Sequence, residues 1–182
     1  MALTVIPLPF GLRDIRITPY TVSTGALDTA NKVDLPYART FTFKETEDFE
    51  ELKGDDSTIA SHGAGPIVEW ELEAGGISLE AYKLIAGGAI TTSGTTPAQL
   101  KTFTKLNSDS RPYFQVEGQA ISDSGGDMHC TVFRCKADGD LEGSFENGQF
   151  MVTKCKGKGY GDPVLGNKLY TFVQNETAVA IP

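Results

Sequence analysis

Cysteine and histidine are the side chains best suited to hold a metal or attack a substrate, and this chain has few of them: Cys130, Cys135 and Cys155, with His62 and His129. His129 and Cys130 are adjacent, so a zinc site is the first chemistry to weigh. If Met128–Lys136 forms one strand, Cys130 and Cys135 point to opposite faces. His129 and Cys135 then share a face but lie about 20 Å apart at ~3.3 Å per residue. No tetrahedral ligand set forms locally, and a zinc centre would need a bulge and distant ligands. The plainer reading is three small, half-buried strand thiols, odd in number and without a disulfide framework, as in a reducing compartment. Carboxylates could serve acid–base chemistry, but Asp55 and Asp56 fall in a Gly-Asp-Asp turn. Glu69, Glu71 and Glu73 alternate along a strand, where solubility is the simpler role. The chain has no Gly-x-Ser-x-Gly elbow, no His-Glu-x-x-His and no phosphate-cradling loop, so it is expected to be no enzyme and to need neither metal nor cofactor.

The elements that position these residues are mostly strands. Val68, Trp70 and Leu72 fall on one face of an extended segment, with Glu69, Glu71 and Glu73 on the other. After Gly75-Gly76, a helix is predicted over about Ser78–Ala86. Ser78 is its N-cap, Ile77 and Tyr82 sit at staple positions, Leu79, Tyr82, Leu84 and Ile85 form its apolar side, and Gly87-Gly88 end it. Leu12–Tyr20 reads as an N-terminal strand with imperfect alternation, and Val33–Lys44 as one strand whose core pair is Phe41 and Phe43. Residues 45–65 are too polar to pack alone and read as a long loop with Phe49 and Leu52 as its anchors. Such a loop is either a solvated hairpin or a functional arm. Ile90–Leu106 opens as a loop and weakens into a strand or turn.

Arg111–Tyr160 reads as strand and turn, with a hairpin connection at Ser122–Asp127, a turn at Ala137–Gly143 and a strand over Phe145–Lys156 carrying Phe150 and Val152. Gly157–Gly161 reads as a flexible loop. Residues 163–182 read as a C-terminal arm with Leu169, Tyr170, Phe172 and Val173 as docking residues. The fold class expected is mainly β: an antiparallel β-sandwich or split barrel with one packed α-helix, in a single domain spanning residues 1–182.

With 24 acidic against 16 basic residues the net charge is −8, and no Lys/Arg cluster stands out along the sequence, which disfavours tight DNA binding. No apolar run approaches the ~20 residues needed to span a bilayer, and Met1–Phe10 lacks the basic start and apolar stretch of a secretory signal. Folding in the cytoplasm is expected.

The runs FEELKGDDSTIASHG and VEWELEAGGISLEAY, within Phe41–Gly88, together with the hairpin EGQAISDSGGD and the following MHCTVFRCKADGDLEGSF, carry a family resemblance. From about Phe10 to Tyr160 the chain resembles the major tail proteins of long-tailed bacteriophages with non-contractile tails. The resemblance implies a sandwich subunit that closes into hexameric rings, stacked as a hollow tail tube in the virion through which double-stranded DNA passes without sequence-specific binding. It implies contacts with further copies of itself and with tape measure, tail terminator and distal tail proteins, and none with a membrane. It implies that the loop over residues 45–65, with Phe49, Leu52, Asp55 and Asp56, reaches onto neighbouring subunits, and that Leu169, Tyr170 and Phe172 dock the arm. An acidic or amide-rich bore would let DNA pass. Glu69, Glu71 and Glu73, with Gln115, Glu117 and Gln119 as a second row, are the lumen-facing candidates, and the outer surface of an ordinary sandwich is the alternative for both rows. A non-polymerising virion component, such as a capsid decoration or tail-tip protein, is the alternative function. The absence of an appended immunoglobulin-like domain argues against glycan adhesion.

Overall fold

The alternating and aromatic-rich segments predict strands that must pair across long stretches of sequence, and they do. The structure, a computed structural model, describes residues 6–35, 37–54, 57–76, 78–142, 147–148 and 152–181. In chain order it contains β1 (Pro9–Pro19), β2 (Val33–Leu35), β3 (Ala38–Thr46), β4 (Phe49–Gly54), β5 (Ser57–Gly63), β6 (Ile67–Gly75) and α1 (Leu79–Ala86). There follow β7 (Ala89–Ser93), β8 (Leu100–Thr104), β9 (Phe114–Ser122), β10 (Asp127–Ala137), β11 (Val152–Gly159) and β12 (Tyr170–Asn175). The main sheet runs β2-β1-β9-β10-β11-β6-β3, with β12 also paired to β10, and β4–β5 and β7–β8 form separate two-stranded sheets. Every strand pairing is antiparallel, an arrangement consistent with a β-sandwich.

The main sheet changes direction within β10. Asp127–Val132 pairs with β12, and Cys135–Ala137 pairs with β11 on the same edge. Between them the register with β9 shifts, and Arg134 takes φ 43°. A non-glycine residue in this region is unfavourable and persists only where its surroundings hold it. Here the Arg134 backbone N–H donates to Tyr20 Oη at 3.2 Å, and Tyr20 donates in turn to buried Asp162 at 2.8 Å. Burial, then the hydrogen bond to Asp162, pushes the Tyr20 pKa well above its ordinary value, so the phenol keeps the proton it donates.

The core fills the space between the layers with Ile15, Ile17, Val68, Trp70, Leu72, Phe114, Val116, Val132 and the three cysteines. Trp70 and Phe114 meet edge to face at 5.5 Å between ring centroids. The bulge in β10 alters the parity expected of a regular strand: Cys130 and Cys135 both join the core, although regular alternation would separate them. The imperfect alternation of β1 has the same cause, with register shifts on either side of Leu12.

The helix forms where its local signals place it. Ser78 Oγ accepts from the Ala81 N–H at 3.2 Å, Ala81, Leu84, Ile85 and Ala86 are buried, and Gly87 at φ 76° returns its N–H to the Lys83 carbonyl. Ile77, the expected staple residue, lies outside the described residues. Ser78→Ala is expected to lower stability by about 1 kcal/mol, as an unfolding titration would measure.

Several boundaries differ from expectation. Val33–Lys44 is divided into β2 and β3. Ile90–Leu106 contains the hairpin β7–β8, packed on the helix through an edge-on contact of Phe103 with Tyr82. Only the end of Gly157–Gly161 is a loop: Gly157 and Gly159 are buried inside β11, and Tyr160 and Gly161 follow the strand. A Cβ at Gly157 would overlap the Lys136 carbonyl and lie 2.7 Å from the Trp70 ring, and one at Gly159 would lie 2.7 Å from Val132. The glycines are there because the core and β10 approach too closely for a side chain. Of the strand expected over Phe145–Lys156, the part from Val152 belongs to β11, while Phe145 and Phe150 lie outside the described residues.

Candidate assembly surfaces

Residues 45–65 are not a loop. They contain the hairpin β4–β5, paired from Phe49↔Gly63 to Gly54↔Ser57, and Asp55 and Asp56 at its tip lie outside the described residues. Among the described residues, β4 and β5 pack chiefly on each other. Phe49, Leu52 and Ile59 are 63%, 62% and 66% exposed. Phe49 and Leu52 have opposite parity on β4, so they face opposite sides of the hairpin and cannot enter one flat pocket together. Ile59 lies between Thr58 and Ala60 at the register shift in β5, and its side chain crowds the space beside Gly54. Sequence reasoning missed Ile59 because it stands alone in the polar run STIASHG, and only the fold shows it exposed on the same hairpin as Phe49 and Leu52.

The carboxylate row of β6 lies on the outer face of the β3–β6–β11 layer, as alternation requires, but the face is not acidic. Glu73, Glu71 and Glu69 stand opposite Lys154, Lys156 and Lys158 of β11, and Glu69 stands opposite Lys44 of β3. Lys154 meets Glu71 at 3.0 Å and Arg39 meets Glu73 at 3.0 Å. Farther along, Lys136 of β10 is the direct register partner of Lys158, and Lys136 and Arg134 both lie over the Tyr113 ring, at 5.0 and 4.9 Å from its centroid. A basic cluster therefore exists, contrary to the linear reading. Its members come from two strands, and along each strand they alternate with neutral residues. The Glu69–Glu71–Glu73 row cannot act as a purely repulsive wall toward DNA while these lysines flank it.

The second polar row does not line a surface of this chain. Gln115 and Gln119 are buried, and Glu117 is partly buried. Burial raises the Glu117 pKa, opposed by the Gln115 side chain and the Arg16 charge. What covers this row is the C-terminal segment. Gln119 Nε2 donates to Asp127 Oδ2 at 2.6 Å and to the Val179 carbonyl at 2.8 Å, and Arg16 Nη1 donates to the Ile181 carbonyl at 2.7 Å.

Asp127 is the hub of this cover. Fully buried, it accepts from Gln119, from Asn175 Nδ2 at 2.7 Å, from the Val179 N–H at 2.9 Å and from His129 Nε2 at 3.0 Å. His129 Nε2 is also 3.0 Å from the Val179 carbonyl, so both its partners are acceptors and Nε2 carries the hydrogen. Burial alone would raise the Asp127 pKa. The hydrogen bonds from Asn175, Val179, Gln119 and His129 outweigh it and hold the value at about 2. This His–Asp pair spends its hydrogen bonds on holding backbone in place.

The arm itself contributes β12. Leu169 and Tyr170 pack against the core, while Phe172 is 52% exposed. Phe43 of β3 contacts both Tyr170 and Phe172, at 6.1 and 5.5 Å, and Tyr170 Oη donates to Glu45 at 2.8 Å. Side chains thus join β3 to β12 without a backbone ladder between them.

The thiols are more buried than half. Burial pushes Cys130 and Cys155 up to about 12 and Cys135 well above its ordinary value, so at neutral pH all three are protonated and poor nucleophiles. Among the described residues no group of three or more His, Cys, Asp or Glu could hold a metal ion, and no helix is long and apolar enough to cross a membrane. No protein-family model matches this chain, and no curated protein matches it either.

Proposed function

We propose that this chain is a structural virion protein without enzymatic activity. In this reading it is a tail tube subunit that self-assembles into hexameric rings, which stack into a conduit for genome ejection. The observation that carries it is the hairpin β4–β5, whose apolar residues Phe49, Leu52 and Ile59 are largely exposed among the described residues. A two-stranded hairpin is marginal in water by itself, so an apolar one that protrudes is best explained by a partner that buries it. The sandwich-like β architecture and the family resemblance of FEELKGDDSTIASHG support another copy of the chain as that partner. Tape measure, terminator and distal tail proteins would meet the ends of the tube.

Leu52→Ser combined with Ile59→Ser should leave monomer stability within about 0.5 kcal/mol, since both residues are solvent-exposed. The same change should raise the concentration for assembly tenfold or more, the effect of losing apolar anchors at an interface. Electron microscopy over a concentration series reads the outcome. Rings or tubes from the parent protein and their loss in the variant support the proposal. Single particles at every concentration favour a non-polymerising decoration or tail-tip component instead.

A further inference from the structure

On the outer face of β10 and β11, Arg134, Lys136, Lys156 and Lys158 gather beside Glu69, Glu71 and Asp138, so that lysines and carboxylates alternate across the strands. Lys136 and Lys158 are direct cross-strand partners, an arrangement that destabilises a sheet unless an anion lies nearby. Lys158 has Glu69 as its cross-strand partner on β6 and Asp138 at 3.9 Å, while Lys136 lies over the Tyr113 ring. Lys156 is exposed beside them, Arg134 shares the Tyr113 ring with Lys136, and a groove of about 450 Å³ runs from Lys156 and Lys158 across Glu69 to Lys44. Along β11, Lys154, Lys156 and Lys158 span about 13 Å at ~3.3 Å per residue, and Lys136 stands beside Lys158 on β10.

The hairpin β4–β5 has the opposite charge. Glu47, Asp48, Glu50 and Glu51 are exposed at its base and along β4, and its one cation, Lys53, is within 3.4 Å of Glu51. Asp55 and Asp56 follow in the sequence.

Taking the hairpin as an assembly element, as in the function proposed above, we infer that its seat on the next copy of the chain is the Lys136–Lys156–Lys158 face of β10 and β11. Hairpin and seat are different surfaces of one molecule, so the contact is head-to-tail and propagates into a ring or a stack without a second type of interface. Opposite potentials on the two surfaces fix the register of docking and speed encounter, while Leu52 or Phe49 supplies the apolar anchor.

Two experiments test the seat. In the first, copies labelled with heavy nitrogen are mixed with unlabelled copies at an assembling concentration and joined by a zero-length carbodiimide, which links lysine to carboxylate. Mixed-isotope peptides joining Lys136, Lys156 or Lys158 to Glu47, Asp48, Glu50 or Glu51 are expected. Assembled protein whose mixed-isotope links lie elsewhere overturns the seat and leaves the tube reading standing; protein with no intermolecular links and no assembly at any concentration overturns both.

In the second, Lys136→Glu with Lys158→Glu should raise the concentration for assembly at least tenfold, with circular dichroism reporting that the fold is kept. Mixing in Glu50→Lys/Glu51→Lys copies should restore assembly. Should the lysine variant assemble like the parent while losing salt-sensitive binding to duplex DNA, the face serves nucleic acid and the inference is wrong.

Discussion

Replacing Asp127 with alanine is expected to destabilise the fold by about 3 kcal/mol, because the change removes a buried carboxylate on which four donors converge. The Asn175 side chain and the N–H of Val179 lose their acceptor together, and Gln119 and His129 keep only the Val179 carbonyl. Against a typical domain stability of about 5–15 kcal/mol, that is a large share. Chemical denaturation at neutral pH measures it. The same group sets an acid limit: its pKa in the folded protein, about 2, lies below its ordinary value of 3.8. Its stabilisation is therefore complete above about pH 4 and is lost as pH falls from there toward 2. Asp127→Asn, which removes the titration, should flatten that part of the stability–pH curve while lowering the plateau. A parent protein whose stability is level between pH 4 and 2 would contradict this account of the hub.

Gly157→Val is expected to cost about 3 kcal/mol by overpacking. The added Cβ meets the Lys136 carbonyl, the Trp70 ring and the Ala137 Cα at once, and none of these is the free end of a flexible side chain. Two are backbone atoms of β10, and Trp70 is held by Phe114. The layer formed by β6 and β11 must therefore separate from β10 to admit the side chain. Thermal unfolding of Gly157→Val, with Lys156→Val as an exposed control on the same strand, separates overpacking from a general effect of valine. The control should change stability by no more than about 0.5 kcal/mol.

These two sites also mark where the sequence is and is not legible. The helix could be read because its causes are local: Ser78, the apolar spacing through Ile85 and the paired glycines sit within one window. The β9–β10 hairpin was visible for the same reason, with Gly125 and Gly126 both at positive φ in its turn. Phe41 and Phe43 were expected in the core and do pack against it, though only partly buried. By contrast, Gly157 and Gly159 looked like loop residues because what they make room for, Trp70 and Val132, lies far away in the chain. The hub is hidden equally well, since Asp127 is served by donors at 119, 129, 175 and 179. Parity arguments failed where β10 bulges: Arg134 carries no glycine signature, yet its positive φ brings Cys130 and Cys135 to the same core. The charge of the β6 face was misjudged because one strand shows its own alternation and says nothing of the lysines beside it.

The order of strand pairing carries a consequence in time. β1 hydrogen-bonds to β9, about a hundred residues downstream, and such non-local antiparallel pairing places folding of the body in the millisecond-to-second range. The β4–β5 turn closes between neighbours in sequence, and hairpins of this kind form in about 1–10 μs. The projecting element can thus be sampled long before β10 and β11 come together. With the hairpin docking on β10 and β11 as proposed, a newly made chain would hold its plug early and its socket late, and the slow closure of the body would set the pace at which subunits become able to receive one another.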